Sequence, residues 1–494
     1  MTIFSSLSDW LFGRGSARAD GREIPAPAER MCVLDPAKIF TPDPALIESY
    51  TKIDESDEAN IRRTKTDKIF YREIPYSKYL GVLQFHPNRI GGYVAASKLT
   101  PRLAVTARNM LDYAVELPNG GLALYYPKSI DTARLQVNEP IYSGIAQGQI
   151  LAGFTRLIRD EVPQNGPQSW QEIAERIALS LMFPFEQGGV CADGCVILEA
   201  PNFRACPETI LNGWIDALIR FYDYLHFAPN RTYQEFYDRN IAALCELLPD
   251  FDDADARLSL YSNLCPYSFR LHFRRARGSA PPPRVRVEYV PVKRGYAGYV
   301  IPELWNPGPE LRNCIYENKI ENSRASTMDL SLSVCSLYDI VITVDADCTH
   351  LSYDPGTYNE TSTVPRRTLL RRSLPPSPGS DATRAVFVVR AAEGGLMAGC
   401  PTNFIKKSEN FYHSYHIVAL YELAITTPDP AQRKIIADFA NRWLDYIKSP
   451  KHDHLIGKAS FVPPESFVKK ITRFRALPHT HSFDELRALA NAPQ

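Results

Sequence analysis

The sequence predicts an α+β multidomain fold in which an α/α barrel, or toroid, is interrupted by an inserted β-sandwich-like domain. Apolar residues recur at helical spacing from about Phe85 to Leu225. Period-two alternation takes over across 283–403, and helical spacing returns at Tyr412. A strand-rich block framed by two helical blocks of the same character is most economically an insertion. The expected boundaries are an N-terminal extension over 1–84, a first barrel part over 85–268 and an inserted β-rich domain over 269–403. A second barrel part over 404–450 and a C-terminal tail over 451–494 complete the chain.

Each block has its own pattern. The extension is polar and weakly periodic, and its charge run IDESDEANIRRTKTDK (53–68) suits a solvated face or a linker. In the first barrel part, Ile145, Ile150, Phe154 and Leu157 follow one another at spacings of three to five. Ile210, Trp214, Leu218, Phe221 and Leu225 hold one apolar stripe over four turns. The loops PNGG (118–121), QNGP (164–167) and QGGVCADGC (187–195) separate the helical segments. RVRVEYV, LSLSVCSLYDIVITVDAD and RAVFVVRAA alternate like strands. YHSYHIVALYELA and IIADFANRWLDYI are helical again, and FDELRALANA predicts one short helix in the tail.

Composition narrows the functional classes. The 494 residues are enough for two or three domains. The 56 basic residues balance 56 acidic ones, so no overall field recruits nucleic acid or a membrane surface. A hydrophobic share of 45% excludes a mostly disordered chain, and the 39 prolines imply many loops and edges. No apolar run approaches the ~18 residues of a membrane span. The first residues lack a basic, uninterrupted signal pattern and the ten cysteines are scattered, so a reducing cytoplasmic location is expected. Cys191, Cys195 and Cys206 lack CxxC spacing and a following histidine pair, which suits buried thiols better than a metal site. There is no P-loop, no GxGxxG between strand and helix, no HExxH and no GxSxG, so no cofactor and no metal is expected.

Three separated segments concentrate tyrosine, glutamate and histidine near predicted helix ends. VILEAPNFRACPETILNGW carries Glu199 on a loop, RLSLYSNLCPY carries Tyr261 after an acidic loop, and SENFYHSYHIVAL sets Tyr412, His413 and His416 on the first turns of a helix. A barrel gathers loops from distant positions at one end, so the three could line one cleft. Taken singly, each residue has a plainer reading. Tyr412 and Tyr261 could cover helix ends, Glu199 could be solvated, and His416 could be a satisfied core histidine. Gln147, Gly148 and Gln149 could serve close helix packing, and Asn212 could brace a helix start.

These segments resemble the carboxy-terminal helical domain of the D-glucuronyl C5-epimerase family. YSGIAQGQILAGFTRL (142–157) is similar to that family's Tyr-Ser-x-x-Ala-Gln-Gly-Gln helix. The stretch from ILEAP to ILNGWIDALIRFYDY (197–224) resembles its Glu-Tyr-Pro and Leu-Asn-Gly blocks. SLYSNL (259–264), YHSYHIVAL (412–420) and FHPNRIGGYVA (85–95) extend the resemblance. It covers about half of the chain, roughly 85–265 and 405–450. The chain departs from the family's pattern at Ala200, where a tyrosine is usual, at Leu264 in place of an arginine, and at His86 in place of a tyrosine.

The resemblance implies a carbohydrate epimerase that inverts C5 of glucuronic acid residues in a glycan of heparosan type. It implies Glu199, Tyr261 and Tyr412 as catalytic groups. Arg204, Asn202, His413, His416, Gln149 and His86 form the candidate substrate-binding set. The loop after Glu199 is two residues longer than in the family, so Asn202 or Arg204 could replace the phenol missing at Ala200. The implied partner is a uronic-acid-containing glycan, with no nucleic acid and no membrane span, and assembly as a homodimer stays open. Two other classes would use the same residues. A polysaccharide lyase starts with the same proton abstraction and then expels the C4 substituent, and a glycan-binding protein would keep the fold without the reaction.

Overall fold

The computed structural model describes residues 29–34, 107–108, 111, 114–124, 130–131, 136–137, 143–164, 166–199, 201, 206–254, 257–274, 283–301, 320–324, 327–355, 372–391, 400–401, 409–448, 460–472, 475–477 and 482–492. The fold is α+β. His86, Ala200, Asn202, Arg204 and nearly all of the extension 1–84 lie outside the described residues.

The helices are α1 (Gly144–Arg159), α2 (Trp170–Leu181), α3 (Leu211–Phe227), α4 (Arg231–Leu247), α5 (Phe411–Thr426), α6 (Pro430–Lys448), α7 (Glu465–Thr472) and α8 (Phe483–Asn491). Their starts follow local chemistry. The Ser169 hydroxyl accepts from the Glu172 amide at 3.0 Å, while the Glu172 carboxylate accepts from the Ser169 amide at 2.7 Å. This reciprocal box fixes the first turn of α2. Asn230 caps α4 by accepting from the Thr232 amide at 2.9 Å.

Helices α1 and α3 approach so closely that a Cβ on Gly148 would lie 2.9 Å from the Ala217 Cα. Glycine is therefore the residue that lets this pair touch. Helix α5 is buried from His413 through Ala424. A helix apolar on all sides belongs inside a core, and α5 packs against α3, α6, α7 and α8. No closed barrel forms among the described residues, so the ring expected from sequence is not completed by them. None of the described helices is long and apolar enough to cross a membrane.

Besides several short strands, the strands are β1 (Met31–Val33), β2 (Leu258–Ser262), β3 (Cys265–Phe273), β4 (Val285–Pro291), β5 (Gly298–Ile301), β6 (Ile320–Arg324), β7 (Thr327–Val334), β8 (Tyr338–Val344), β9 (Cys348–Pro355), β10 (Arg372–Leu374), β11 (Ala385–Val389) and β12 (Cys400–Pro401) among the described residues. One five-stranded sheet runs β1-β5-β4-β8-β11 and a second runs β6-β7-β3-β9-β10. In β3, Tyr267, Phe269, Leu271 and Phe273 are buried while Arg270 and His272 are not. That alternation is what a sheet with one covered face demands. The short β12 pairs with β2, setting Cys400 opposite Ser262 and Pro401 opposite Leu260.

The sequence sets Tyr261 just after an acidic loop, near a predicted helix end, whereas the structure makes it part of β2. All five residues of β2 are buried. A strand covered on both faces shows no alternation, so the period-two signal is silent there.

Polar ties hold the outlying segments. Asp193, on the glycine-rich loop before Glu199, accepts from the Ala297 amide at 2.7 Å, the Tyr299 hydroxyl at 3.2 Å and Arg30 at 3.2 Å. Burial pushes the Asp193 carboxyl up to about 6, against the pull of the Ala297 amide and of Arg30. Near the C-terminus, the buried Arg475 guanidinium meets Asp223 at 2.7 Å and Glu422 at 2.5 Å. It fastens the segment after α7 to helices α3 and α5.

Candidate active site

Glu199 follows the short strand Val196–Ile197 and lies over the first turn of α3. The Asn212 side-chain amide donates to Glu199 Oε2 at 3.3 Å. A Cβ at Gly213 would fall 2.3 Å from the same oxygen. The Leu-Asn-Gly sequence is thus explained locally: asparagine donates to the carboxyl, and glycine leaves the room it occupies. Ile210 at the head of α3 offers no side-chain cap. Glu199 therefore sits at a helix end whose side-chain brace comes from Asn212.

The Glu199 carboxyl is pushed up to about 8, first by burial, then by the charges of Glu208 and Asp216, with the Asn212 amide opposing. Asp216 sits one turn further along α3, where it accepts from Arg220 at 2.8 Å, Gln149 at 3.2 Å and Tyr415 at 3.2 Å. Near neutral pH, Glu199 holds its proton far more readily than an exposed glutamate, and once ionised it is a correspondingly stronger base.

Tyr261 on β2 and Tyr412 on the first turn of α5 meet edge to face with ring centroids 4.7 Å apart. Burial and the nearby Glu199 hold the Tyr412 phenol above its usual range, and a hydrogen bond from Tyr261 works in the opposite direction. The structure thus brings Glu199, Tyr261 and Tyr412 into one neighbourhood from a loop, a strand and a helix. Tyr261 and Tyr412 share a hydrogen bond, and Glu199, when ionised, acts on Tyr412 by its charge.

The histidines have other surroundings. His413 is fully buried, its Nδ1 accepts from the Ser259 amide at 2.9 Å, and its Nε2 donates to the Trp443 carbonyl at 3.0 Å. Both nitrogens are engaged in joining β2 to helices α5 and α6, which gives the ring a structural character. His416 lies 2.9 Å by Nδ1 from the Ser259 hydroxyl, and its buried Nε2 has no partner among the described residues. Burial and the neighbouring His413 hold its pKa well below the usual imidazole range. Its ring lies 6.4 Å from that of Tyr412. Among the described residues, Gln149 reaches the site's surroundings through Asp216.

Sequence reasoning missed the residues behind these groups. Ser259 bridges the two histidines. Glu208 and Ser262 connect the Glu199 loop with the Tyr261 strand at 2.5 Å. Their one signal in the sequence is that all three lie inside the segments that carry Glu199 and Tyr261.

Residues 122–268 match the family model described as D-glucuronyl C5-epimerase C-terminus, the family to which the sequence motifs pointed. Glu199 and Tyr261 lie within the matched span and Tyr412 beyond it. No curated protein matches the chain.

Proposed function

We propose, taking the family match over 122–268 as premise, that this protein is a carbohydrate epimerase inverting C5 of glucuronic acid residues in a glycan. The observation that carries the reading is the meeting of Tyr261 and Tyr412 beside a half-buried glutamate whose proton is held up to about 8. Inversion at a carbon next to a carboxylate needs one group to remove the C5 proton and another to return one from the opposite face. Ionised Glu199 is the base: the C5–H bond breaks, an O–H bond forms on Glu199, and the electron pair moves into the sugar carboxylate as an enediolate. Tyr412 is the acid: its O–H bond breaks as the new C5–H bond forms on the other face. Tyr261 stabilises the resulting phenolate by its hydrogen bond, until the proton held by Glu199 restores the starting state through solvent. The raised phenol of Tyr412 fits an acid that keeps its proton until the enediolate forms.

In this reading the helices are an arc of an α/α toroid, most strands of the two five-stranded sheets belong to a sandwich-like domain inserted over 269–403, and the insert separates Tyr261 from Tyr412 in sequence alone. His416, through its open Nε2, is a substrate contact, while His413 supports it.

The test is incubation with glucuronate polymers in heavy water. Deuterium at C5 with an intact chain supports the proposal. An unsaturated product indicates a lyase, and binding without exchange indicates a non-catalytic glycan-binding protein; either result overturns it.

A further inference from the structure

The segment from Cys206 to Ile210 is buried throughout, which is unusual for a stretch without regular structure. Its polar groups are spent on the strand that carries Tyr261. The Thr209 amide donates to Asn263 Oδ1 at 2.9 Å, and the Asn263 amide donates to the Thr209 carbonyl at 3.2 Å. Ile210 bridges to Ser262. Glu208, only 2% exposed, accepts from the Ser262 hydroxyl at 2.5 Å, and that hydroxyl in turn accepts from the Leu264 amide at 3.1 Å. An O–H···O contact this short is the length of a hydrogen bond to an ionised carboxylate.

We propose that Glu208 is a positioning residue of this site, holding the Tyr261 strand in register and placing a fixed negative charge beside Glu199. The proposal rests on the epimerase reading only for its consequence in catalysis. Two neighbouring carboxylates do not both ionise easily. Glu208 has a hydroxyl donor supporting its charge, while Glu199 has the longer contact from Asn212 at 3.3 Å. The pair therefore divides: Glu208 carries the charge and Glu199 carries the proton. Among the described residues, the other titratable groups facing Glu199 are Asp216 on α3 and Tyr412 on α5. Asp216 is partnered by Arg220, so the charge of Glu208 is the stronger like-charge influence, consistent with its larger share in raising Glu199.

The experiment follows the carboxyl itself. Carbon-13 glutamate NMR of the full chain, with the Glu199 signal assigned by its loss in Glu199→Gln, gives the midpoint of its titration without any substrate. The expected midpoint is near 8 in the unaltered protein. In Glu208→Gln it falls by about one pH unit, the lower end of the effect of a close charge. The pH profile of C5 exchange shifts toward acid by the same amount. An unchanged Glu199 midpoint in folded Glu208→Gln overturns the proposal. If Glu208→Gln does not fold, Glu208→Met, which is similar in size and likewise removes the charge, decides. The Glu199 midpoint must then also fall, and an unchanged value overturns the proposal. A protein without exchange but with the expected titration shift would sink the epimerase reading and leave this inference standing.

Discussion

Tyr261 and Tyr412 stand ring against ring at 4.7 Å, one on a buried strand and the other at the start of a helix beyond the β-rich segment. The contact is backed on both sides. β2 is held to α5 by the Ser259 amide and hydroxyl on His413, and His413 is held to α6 through the Trp443 carbonyl. Two phenols placed this way share a hydrogen bond, so loss of either hydroxyl changes the other.

Tyr412→Phe keeps the ring contact and removes the acid. C5 exchange is expected to fall by at least ~100-fold, the scale of losing a positioned proton donor, with the melting temperature nearly unchanged. Tyr261→Phe is expected to cost less, because it removes a stabilising hydrogen bond while Tyr412 keeps its proton. Exchange rates measured beside thermal melts check both. Equal losses in the two variants would contradict the assignment of roles.

The pH dependence follows from Glu199. As a base it must be ionised, so exchange should rise with pH through about 8 and level off above it. Stability moves the other way. A folded carboxyl held above its unfolded value of ~4.3 binds more protons folded than unfolded across the interval between the two. Its contribution is therefore fully present below the unfolded value and is lost as pH rises toward about 8. Glu199→Gln has no such loss, so its melting temperature relative to the unaltered protein should climb from pH 5 to pH 8. Paired melts over that range test the sign.

Gly213→Ala should remove activity through geometry. The new methyl would lie 2.3 Å from Glu199 Oε2 and must displace that carboxyl. Exchange should drop by at least ~100-fold, as for a misplaced reacting group. Gly148→Ala, crowding the Ala217 backbone between α1 and α3, should instead cost stability, about 1–3 kcal/mol by overpacking. Urea unfolding and exchange kinetics on the two variants separate the effects.

Arg475→Met should strip the buried cation from Asp223 and Glu422. Leaving buried carboxylates uncompensated costs about 3–5 kcal/mol. The segment after α7 should become cleavable by protease before the rest of the chain. Limited proteolysis with urea unfolding measures both outcomes.

The sequence by itself determined the order of the blocks and the identity of the site motifs. Apolar spacing at Ile210, Trp214 and Leu218 forces a buried helical face, and the alternation in RVRVEYV and LSLSV forces sheet strands, because burial on one face imposes a period. The Leu-Asn-Gly and Tyr-His segments were legible as chemistry because few local structures place such residues together. Only the tertiary structure decided what those residues touch. It put Tyr261 on a strand whose two faces are both covered, a setting that erases the period on which sequence reading depends. It consumed both nitrogens of His413 in Ser259 and Trp443 while leaving one on His416 without a partner among the described residues, although the two histidines look alike in sequence. It also brought Glu208 and Asp216 to bear on Glu199. Proton affinity depends on burial and on charges within a few ångströms, and those neighbours come together only when the chain is folded.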